Sequence, residues 1–388
     1  MNRTSNLLYA GTFTGTLLAL SLWSLKGASD FSAAADTPVL NGKLALAFEK
    51  HYDEEFPIKR LGTNLWAALD FSLFGEGRPG VVVGANDWLY SDEEFKPIAG
   101  ALHNTQDNQA LIQGVRETLA RHNVQLVMAI LPAKARLYPE NFGEHRPAPL
   151  HEQLYQNFRR AVADAGIQAP DLLGPLSQAK AEGQVFLRTD THWTPYGAQV
   201  VAGQLATAIK PSGLVPESGS RYVTETAPGE PHKGDLTNFL PLDPLFEELL
   251  PPPDQLTRHS TRAQEENAAG ADDLFAETQV PVALVGTSYS ADERWNFAGA
   301  LRQALGSDLV NFAEDGRGPL LPMLKFLQSD DFKNAPPRLV IWEFPERYLP
   351  MAYDLSEFDA EWIAQLKAAG RQDKHLADNT ATSQGARH

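Results

Sequence analysis

The stretch VPVALVGTSYS, residues 280–290, decides how this chain folds. VPVALVG is a short apolar run rich in β-branched residues, as in a strand buried on both faces. Gly286 ends it, and Thr-Ser-Tyr-Ser opens the next helix. Open α/β sheets collect ligands at the carboxyl ends of their strands, and a serine at a strand-to-helix turn is presented there. The backbone N–H of Ser288, at a helix start, is placed to stabilise an oxyanion. Ser288 is therefore a candidate nucleophile, and its neighbour Thr287 a candidate substrate contact. The plainer reading, Gly-Thr-Ser as a helix cap, stands beside it.

Working outward, VQLVMAIL (124–131) is a second continuous apolar run, ended by Pro132. LVNF (309–312), RLVIWEF (338–344) and VFLR (185–188) read as further strands. GVVVGANDWLY (80–90) reads as strand, turn at Gly84–Asp87, strand. Helices are expected near 106–122, over 151–166 with Gly166 closing, from Pro195 onward, over about 291–306 and near 318–329. Strands alternating with helices predict an α/β domain with a mostly parallel central sheet. Residues 38–74 read as amphipathic helices leading into it. Residues 211–279, with PPPD and many acids, read as an insertion of loops and short helices. The tail beyond 371 reads as disordered.

A serine hydroxyl needs a base within hydrogen-bond reach. RTDTHWTPYG (188–197) supplies the candidates, Asp190 and His192, two positions apart on what is expected to be an extended loop. His192 would take the proton from Ser288, and Asp190 would orient the imidazole. The same pair also reads as a capping acid with a surface histidine, or as two metal ligands. The ten histidines show neither His-x-x-x-His nor His-x-His spacing, so no metal or cofactor is expected.

The totals narrow the field. The formal charge is −16, from 49 acids against 33 bases, which argues against nucleic acid as a partner. The chain has no cysteine, which excludes disulfides and thiolate nucleophiles. Between Arg3 and Lys26 there is no charge. A helix of about 20 residues spans a bilayer, and the flanking Arg3 would keep the N-terminus cytoplasmic and the rest exported. Residues 1–30 are read as an uncleaved anchor. SAAAD (32–36) leaves a cleaved signal as the alternative. The expected layout is thus anchor 1–30, helical lead-in 31–79, catalytic domain 80–370 with insertion 211–279, and tail 371–388.

TDTHWTPYGA and GTSYS resemble the signature blocks of the SGNH-hydrolase-like alginate O-acetylation proteins, and GANDWLY and WEFPERYL (342–349) resemble that family's opening and closing blocks. The resemblance covers about residues 80–350. Length and anchor match the branch without a C-terminal carbohydrate-binding module. The resemblance implies an SGNH-hydrolase-like fold with a circularly permuted motif order, Asp190 and His192 preceding Ser288. It implies an O-acetyltransferase in alginate biosynthesis that moves acetyl through an acetyl-serine to mannuronate, in the periplasm at the inner membrane. Implied partners are alginate (polymannuronate) or an acetyl-carrying protein, a membrane-bound O-acyltransferase and other periplasmic alginate acetylation proteins. Tyr348 reads either as a second polar group at the site or as a core tyrosine. Lys134 and Arg136, in PAKARLYP, read either as uronate contacts or as solvated loop charges. An acetyl esterase with the same triad and a non-catalytic scaffold are the competing functions. The acidic charge sits awkwardly with tight binding of a polyanion.

Overall fold

A computed structural model describes residues 3–32, 41–54, 56–215, 221–264 and 280–371. The expected cleavage site and C-terminal tail lie largely or wholly outside them, as do parts of the 211–279 insertion. The chain divides into two compact units, one drawn from Met1–Arg78 and Asn238–Leu250, the other from Pro79–Thr237 and Pro251–His388.

The first unit contains helices α1 (Arg3–Ser29), α2 (Lys43–Glu54) and α3 (Pro57–Phe74). Within α1, Leu7–Leu25 is long and apolar enough to cross a membrane. Pro57 opens α3, where its missing N–H costs nothing. Gly75 closes it at φ 64, a left-handed conformation that glycine adopts without strain.

The second unit opens with an antiparallel pair, β1 (Val81–Val83) and β2 (Leu89–Ser91). The order then runs α4 (Ala101–Arg121), β3 (Gln125–Leu131), α5 (Lys134–Leu137), α6 (Pro149–Glu152), α7 (Leu154–Asp164), α8 (Leu173–Ala179) and α9 (Pro195–Ile209). Two ribbons follow: β4 (Tyr222–Thr226) pairs with β7 (His259–Ala263), and β5 (Glu230–His232) with β6 (Asp254–Leu256). The chain continues through β8 (Val282–Val285), α10 (Ser288–Ala291), α11 (Phe297–Leu305), β9 (Leu309–Asn311), α12 (Leu320–Gln328), α13 (Asp330–Asn334) and β10 (Leu339–Pro345). A helix at 360–371 follows.

The central sheet has the order β3-β10-β8-β9, all parallel. Side chains alternate across it, as the pleat requires. Val127, Ala129, Leu131, Leu284 and Ile341 join one apolar cluster with residues of α9 and α11. Met128, Ile130, Val285, Val340, Trp342 and Phe344 join a second with residues of α4, α7 and α12. Both faces are covered, so these strands read as unbroken apolar runs rather than alternating ones. All four strands end at the same edge.

Three expectations need correction. VFLR is not a sheet strand. Phe186 bridges to Trp193, and the Leu187 N–H goes to the His192 carbonyl at 3.0 Å, so this backbone bonds to its own return segment. The helix expected over 291–306 is broken. Asp292 accepts the Arg294 N–H at 2.9 Å, and Asn296 turns left-handed at φ 53 before α11 begins. The 211–279 segment contains two β-ribbons rather than loops and short helices alone.

Gly114 of α4 is a close-approach position. A Cβ there would lie 2.1 Å from the Leu366 carbonyl oxygen. Gly114→Ala should therefore destabilise the second unit by about 1–3 kcal/mol, read as a lower denaturant midpoint at unchanged slope.

Candidate active site

Strand β8 delivers Ser288 to the carboxyl edge of the sheet, half-buried and reachable. The turn works because Gly286 has no side chain. A Cβ there would meet Glu343 Oε2 at 2.5 Å. Glu343, on the neighbouring strand β10, is fully buried and holds the turn from beneath. It accepts the Thr287 N–H at 2.7 Å, the Thr287 hydroxyl at 3.0 Å and the Ser290 hydroxyl at 3.1 Å. Burial pushes the Glu343 carboxyl up to about 7, against those hydrogen bonds.

The serine lies in a hydrogen-bonded row. His192 Nε2 is 2.7 Å from Ser288 Oγ, and His192 Nδ1 is 2.7 Å from Asp190 Oδ1. An ionised Asp190 only accepts, so Nδ1 carries the proton and Nε2 is the acceptor facing the serine hydroxyl. The imidazole stacks on Trp295 at 5.1 Å and tilts against Tyr289 at 4.7 Å, which fixes its plane. Among the described residues the Ser288 N–H has no hydrogen-bond partner.

Asp190 does not face His192 by strand alternation, as expected from the sequence. It folds back as an Asx turn, Oδ1 also accepting the His192 N–H at 3.0 Å. Its other oxygen accepts from His232 Nε2 at 2.8 Å and from the Asp235 N–H at 3.1 Å. Burial alone would raise the Asp190 pKa. The hydrogen bonds from His192 and His232 outweigh it and hold the carboxyl well below its usual range. Burial and the Asp190 charge raise Asp235.

The loop is clamped from two sides. On the β5–β6 ribbon, His232 sits opposite Asp254. Asp254 accepts the Arg188 N–H at 2.9 Å, the Thr189 N–H at 2.8 Å and the Thr189 hydroxyl at 2.6 Å. From the sheet side, Lys134 is 1% exposed, and its ammonium donates to the carbonyls of Leu89, Arg188 and Asp190 at 2.5, 2.8 and 2.9 Å. Burial lowers its pKa to about 8, opposed by Glu94, Asp254 and Asp190.

Several sequence readings change here. Lys134 is neither solvated nor available to a uronate, because all three N–H donors are taken. Arg136 forks onto Glu346 at 2.7 Å through both Nε and Nη2 and is likewise committed. Thr287 is buried against Glu343 and caps α10, so its hydroxyl does not face a substrate. Tyr348 is half-buried beneath Arg347, which lies 4.7 Å from its ring centroid. Arg347 in turn donates to the Tyr289 hydroxyl at 3.0 Å. His232, Asp235, Asp254 and Glu343 were missed. The one legible signal was Glu343, a lone acid inside RLVIWEF.

The donor atoms of Asp190, His192 and Asp235 lie within 4.8 Å of one another, a spacing that suits a cation. Asp190 and His192 already use those atoms on each other, His232 and Ser288.

A parallel α/β sandwich with aspartate, histidine and serine aligned at its carboxyl edge is the architecture of an SGNH-hydrolase-like protein. The profile described as "SGNH hydrolase-like domain, acetyltransferase AlgX" matches residues 81–346, and the chain belongs to that family. It is 87% identical over 388 residues to the probable alginate O-acetylase AlgJ of Azotobacter vinelandii, covering 100% of both chains. It is 58% identical to the probable alginate O-acetylase AlgJ of Pseudomonas aeruginosa, covering 95% of this chain and 96% of that one. The solved O-acetyltransferase domain of Pseudomonas putida AlgJ superposes with a TM-score of 0.70 at 58% identity, covering 75% of this chain and 100% of that one. Pseudomonas aeruginosa AlgX shares the fold, with a TM-score of 0.53 at 24% identity over 70% of this chain and 63% of that one.

Glu343 yields a pH prediction. Its folded-state pKa, about 7, lies above the unfolded value of roughly 4.3, so the folded state favours the protonated form. The stability it allows is fully present below the unfolded value and is lost as pH rises through 7. The full displacement corresponds to about 4 kcal/mol. Glu343→Gln keeps an acceptor for Thr287 but cannot ionise. Its stability relative to the native protein should rise between pH 5 and pH 8 in paired urea titrations. An unchanged difference would place the Glu343 pKa near its ordinary value.

Proposed function

We propose that this chain is an alginate O-acetyltransferase that carries acetyl on Ser288, with His192 as general base and acid and Asp190 as its orienting partner. The observation that carries the reading is the unbroken row Asp190–His192–Ser288, with 2.7 Å at both links. The family membership supplies the chemistry, acetyl transfer, and the AlgJ relatives supply alginate as the polymer.

In the first half-reaction Ser288 Oγ attacks the acetyl carbonyl carbon of an ester-class donor while His192 Nε2 takes the hydroxyl proton. The Ser288 N–H donates to the developing oxyanion. The donor's acyl bond breaks, and His192 returns the proton to the leaving atom. In the second half-reaction a mannuronate hydroxyl gives its proton to His192 and attacks the acetyl-serine. The Ser288–acyl bond breaks and the proton returns to Oγ. Asp190 stays ionised throughout, and His232 helps keep it so by donating to Oδ2.

A groove of about 1060 Å³ passes the residues that follow Ser288, with Ser290, Asp292, Arg294, Asn296, Thr261 and Arg258 on its walls. In this reading an acceptor follows it toward Ser288. Its arginines are paired: Arg294 with Asp292, Arg258 with Glu230 and Arg302 with Asp308. That favours brief contact with the polymer, or passage of acetyl to a carrier protein, over tight retention. In this reading residues 1–30 anchor the chain in the inner membrane, residues 31–79 lead in, and residues 80–370 work in the periplasm. A membrane-bound O-acyltransferase would supply acetyl there.

Incubation with an activated acetyl ester should trap an acetyl group on Ser288, seen by intact mass and lost in Ser288→Ala. Turnover should fall at least about 10³-fold in Ser288→Ala or His192→Ala, and the double variant should lose little more, because the pair acts as a unit. Oligomannuronate should accelerate loss of the trapped acetyl more than water does. Equal acetylation of Ser288→Ala would remove the nucleophile from this assignment.

His232→Leu should cost about 10- to 100-fold, the value of one hydrogen bond to a charged group. With that donor gone the Asp190 pKa rises, so the acid limb of the rate profile should move to higher pH. His232→Gln, which keeps a donor, should restore part of both. A fall in rate with an unmoved acid limb would reduce His232 to a packing role.

A further inference from the structure

Helix α3 is built inside out. Its buried side chains include Asn64, 2% exposed, whose Nδ2 donates to the Pro241 and Asp243 carbonyls at 2.5 and 3.1 Å, and Ala68. On the other side Leu61, Leu65, Leu69 and Leu73 recur every fourth residue, with Trp66 beside them, all 42–68% exposed. A water-soluble helix turns its apolar stripe to the core and its polar residues outward. Here the polar residue is tied down within the unit and the leucine stripe faces away, forming a contiguous apolar patch of the kind that marks an interaction surface.

The same unit indicates what covers it. Both α2 and α3 pack on α1, whose Leu7–Leu25 has membrane-crossing length. At the carboxyl end of that span the Ser24 hydroxyl receives the Tyr52 hydroxyl of α2 at 2.8 Å. Phe31 packs edge-on against Phe48 at 5.2 Å, Phe48 stacks on Tyr52 at 6.0 Å, and Tyr52 tilts on Phe56 at 5.7 Å. Pro57 of α3 follows directly. Aromatic side chains gathered at the end of a span suit the headgroup level of a bilayer. Helix α3 therefore starts at that depth and presents a leucine stripe with one tryptophan, the composition of a helix that lies in the interface.

We propose that α3 lies along the membrane that α1 crosses, with Leu61, Leu65, Trp66, Leu69 and Leu73 seated at the boundary of headgroups and acyl chains. This rests on the reading of α1 as a spanning anchor. The chain would then have two attachments, a span and a surface helix, joined by the aromatic cluster.

The absence of native cysteine makes the test direct. Single variants Leu17→Cys, Leu65→Cys and Leu69→Cys of the full chain carry a nitroxide in nanodiscs of phosphatidylethanolamine and phosphatidylglycerol. Accessibility to oxygen and to a water-soluble nickel chelate is compared with spin-labelled lipid standards. All three labels should favour oxygen over nickel, by a several-fold ratio, with Leu17 deeper than Leu65 and Leu69. If Leu17 is lipidic while Leu65 and Leu69 are reached freely by nickel, the anchor stands and the surface helix is overturned. If Leu65 and Leu69 are shielded from both reagents, protein rather than lipid covers the stripe, and the proposal again fails. If Leu17 itself is in water, the anchor reading falls and takes the proposal with it.

Discussion

The carboxylate of Asp190 is the constraint on which the site depends. An ion taken out of water needs compensation at nearly every lone pair. Asp190 receives two N–H donors from the backbone and two from imidazole rings. Those four bonds explain much of the surrounding architecture. The Asx turn places His192 toward Ser288. The β5–β6 ribbon exists at the point where His232 must reach Asp190, and its facing residue, Asp254, pins the two residues that precede it. Gly234 is small because its neighbours are Thr189 and Asp190, whose backbone a Cβ would strike at 2.2 and 2.5 Å.

The carboxyl edge of the sheet is a place where buried charge replaces apolar packing. Glu94, Lys134, Glu343, Glu346 and Arg347 are all 5% exposed or less. Most of them hold backbone rather than simply pairing with one another. Glu94 accepts the Lys134 and Ala135 N–H groups, Glu346 accepts that of Ala133, and Glu343 that of Thr287. These are the turns that leave β3 and β8. Loops leaving a sheet carry unpaired N–H groups that water would ordinarily satisfy. Here carboxyl groups do so in dry surroundings, which makes the turns rigid. Rigid turns suit the proposed mechanism, in which both halves of the reaction use one serine and one imidazole in fixed register.

Periodicity and punctuation made the sheet legible. The runs 124–131, 280–286 and 338–344 are long, apolar and closed by Pro132, Gly286 and Pro345, and they became β3, β8 and β10. VFLR has a similar apolar start but pairs with the return segment that follows it, a pairing that composition does not reveal. Asp190, His192 and Ser288 stood out because each lies in a short motif whose chemistry is local, and the structure brings their side chains into hydrogen-bond contact. His232 and Asp254 had no such motif. They come from a segment whose proline and acid content hid two ribbons, and their partners lie 42 and 65 residues away. Lys134 misled for the opposite reason. A lysine after a strand end looks solvated until three carbonyls are found around it.

The acidity of the chain bears on how it would meet the polymer proposed as its acceptor. A net charge of −16 repels a polyuronate at long range. The arginines along the groove are already paired with carboxylates, so little cationic surface remains to offset it. For a one-step transfer between two bound substrates this would be a serious handicap. A covalent acetyl-serine changes the requirement, because donor and acceptor need never be present together. The acceptor has only to meet the loaded serine briefly, and weak contact then aids release of the acetylated product, the step that limits many enzymes. In the proposed mechanism, low affinity for the polymer and a stored acetyl group would be two parts of one arrangement. On that proposal the energy of binding would be kept for the transition state at Ser288 rather than for the sugar chain.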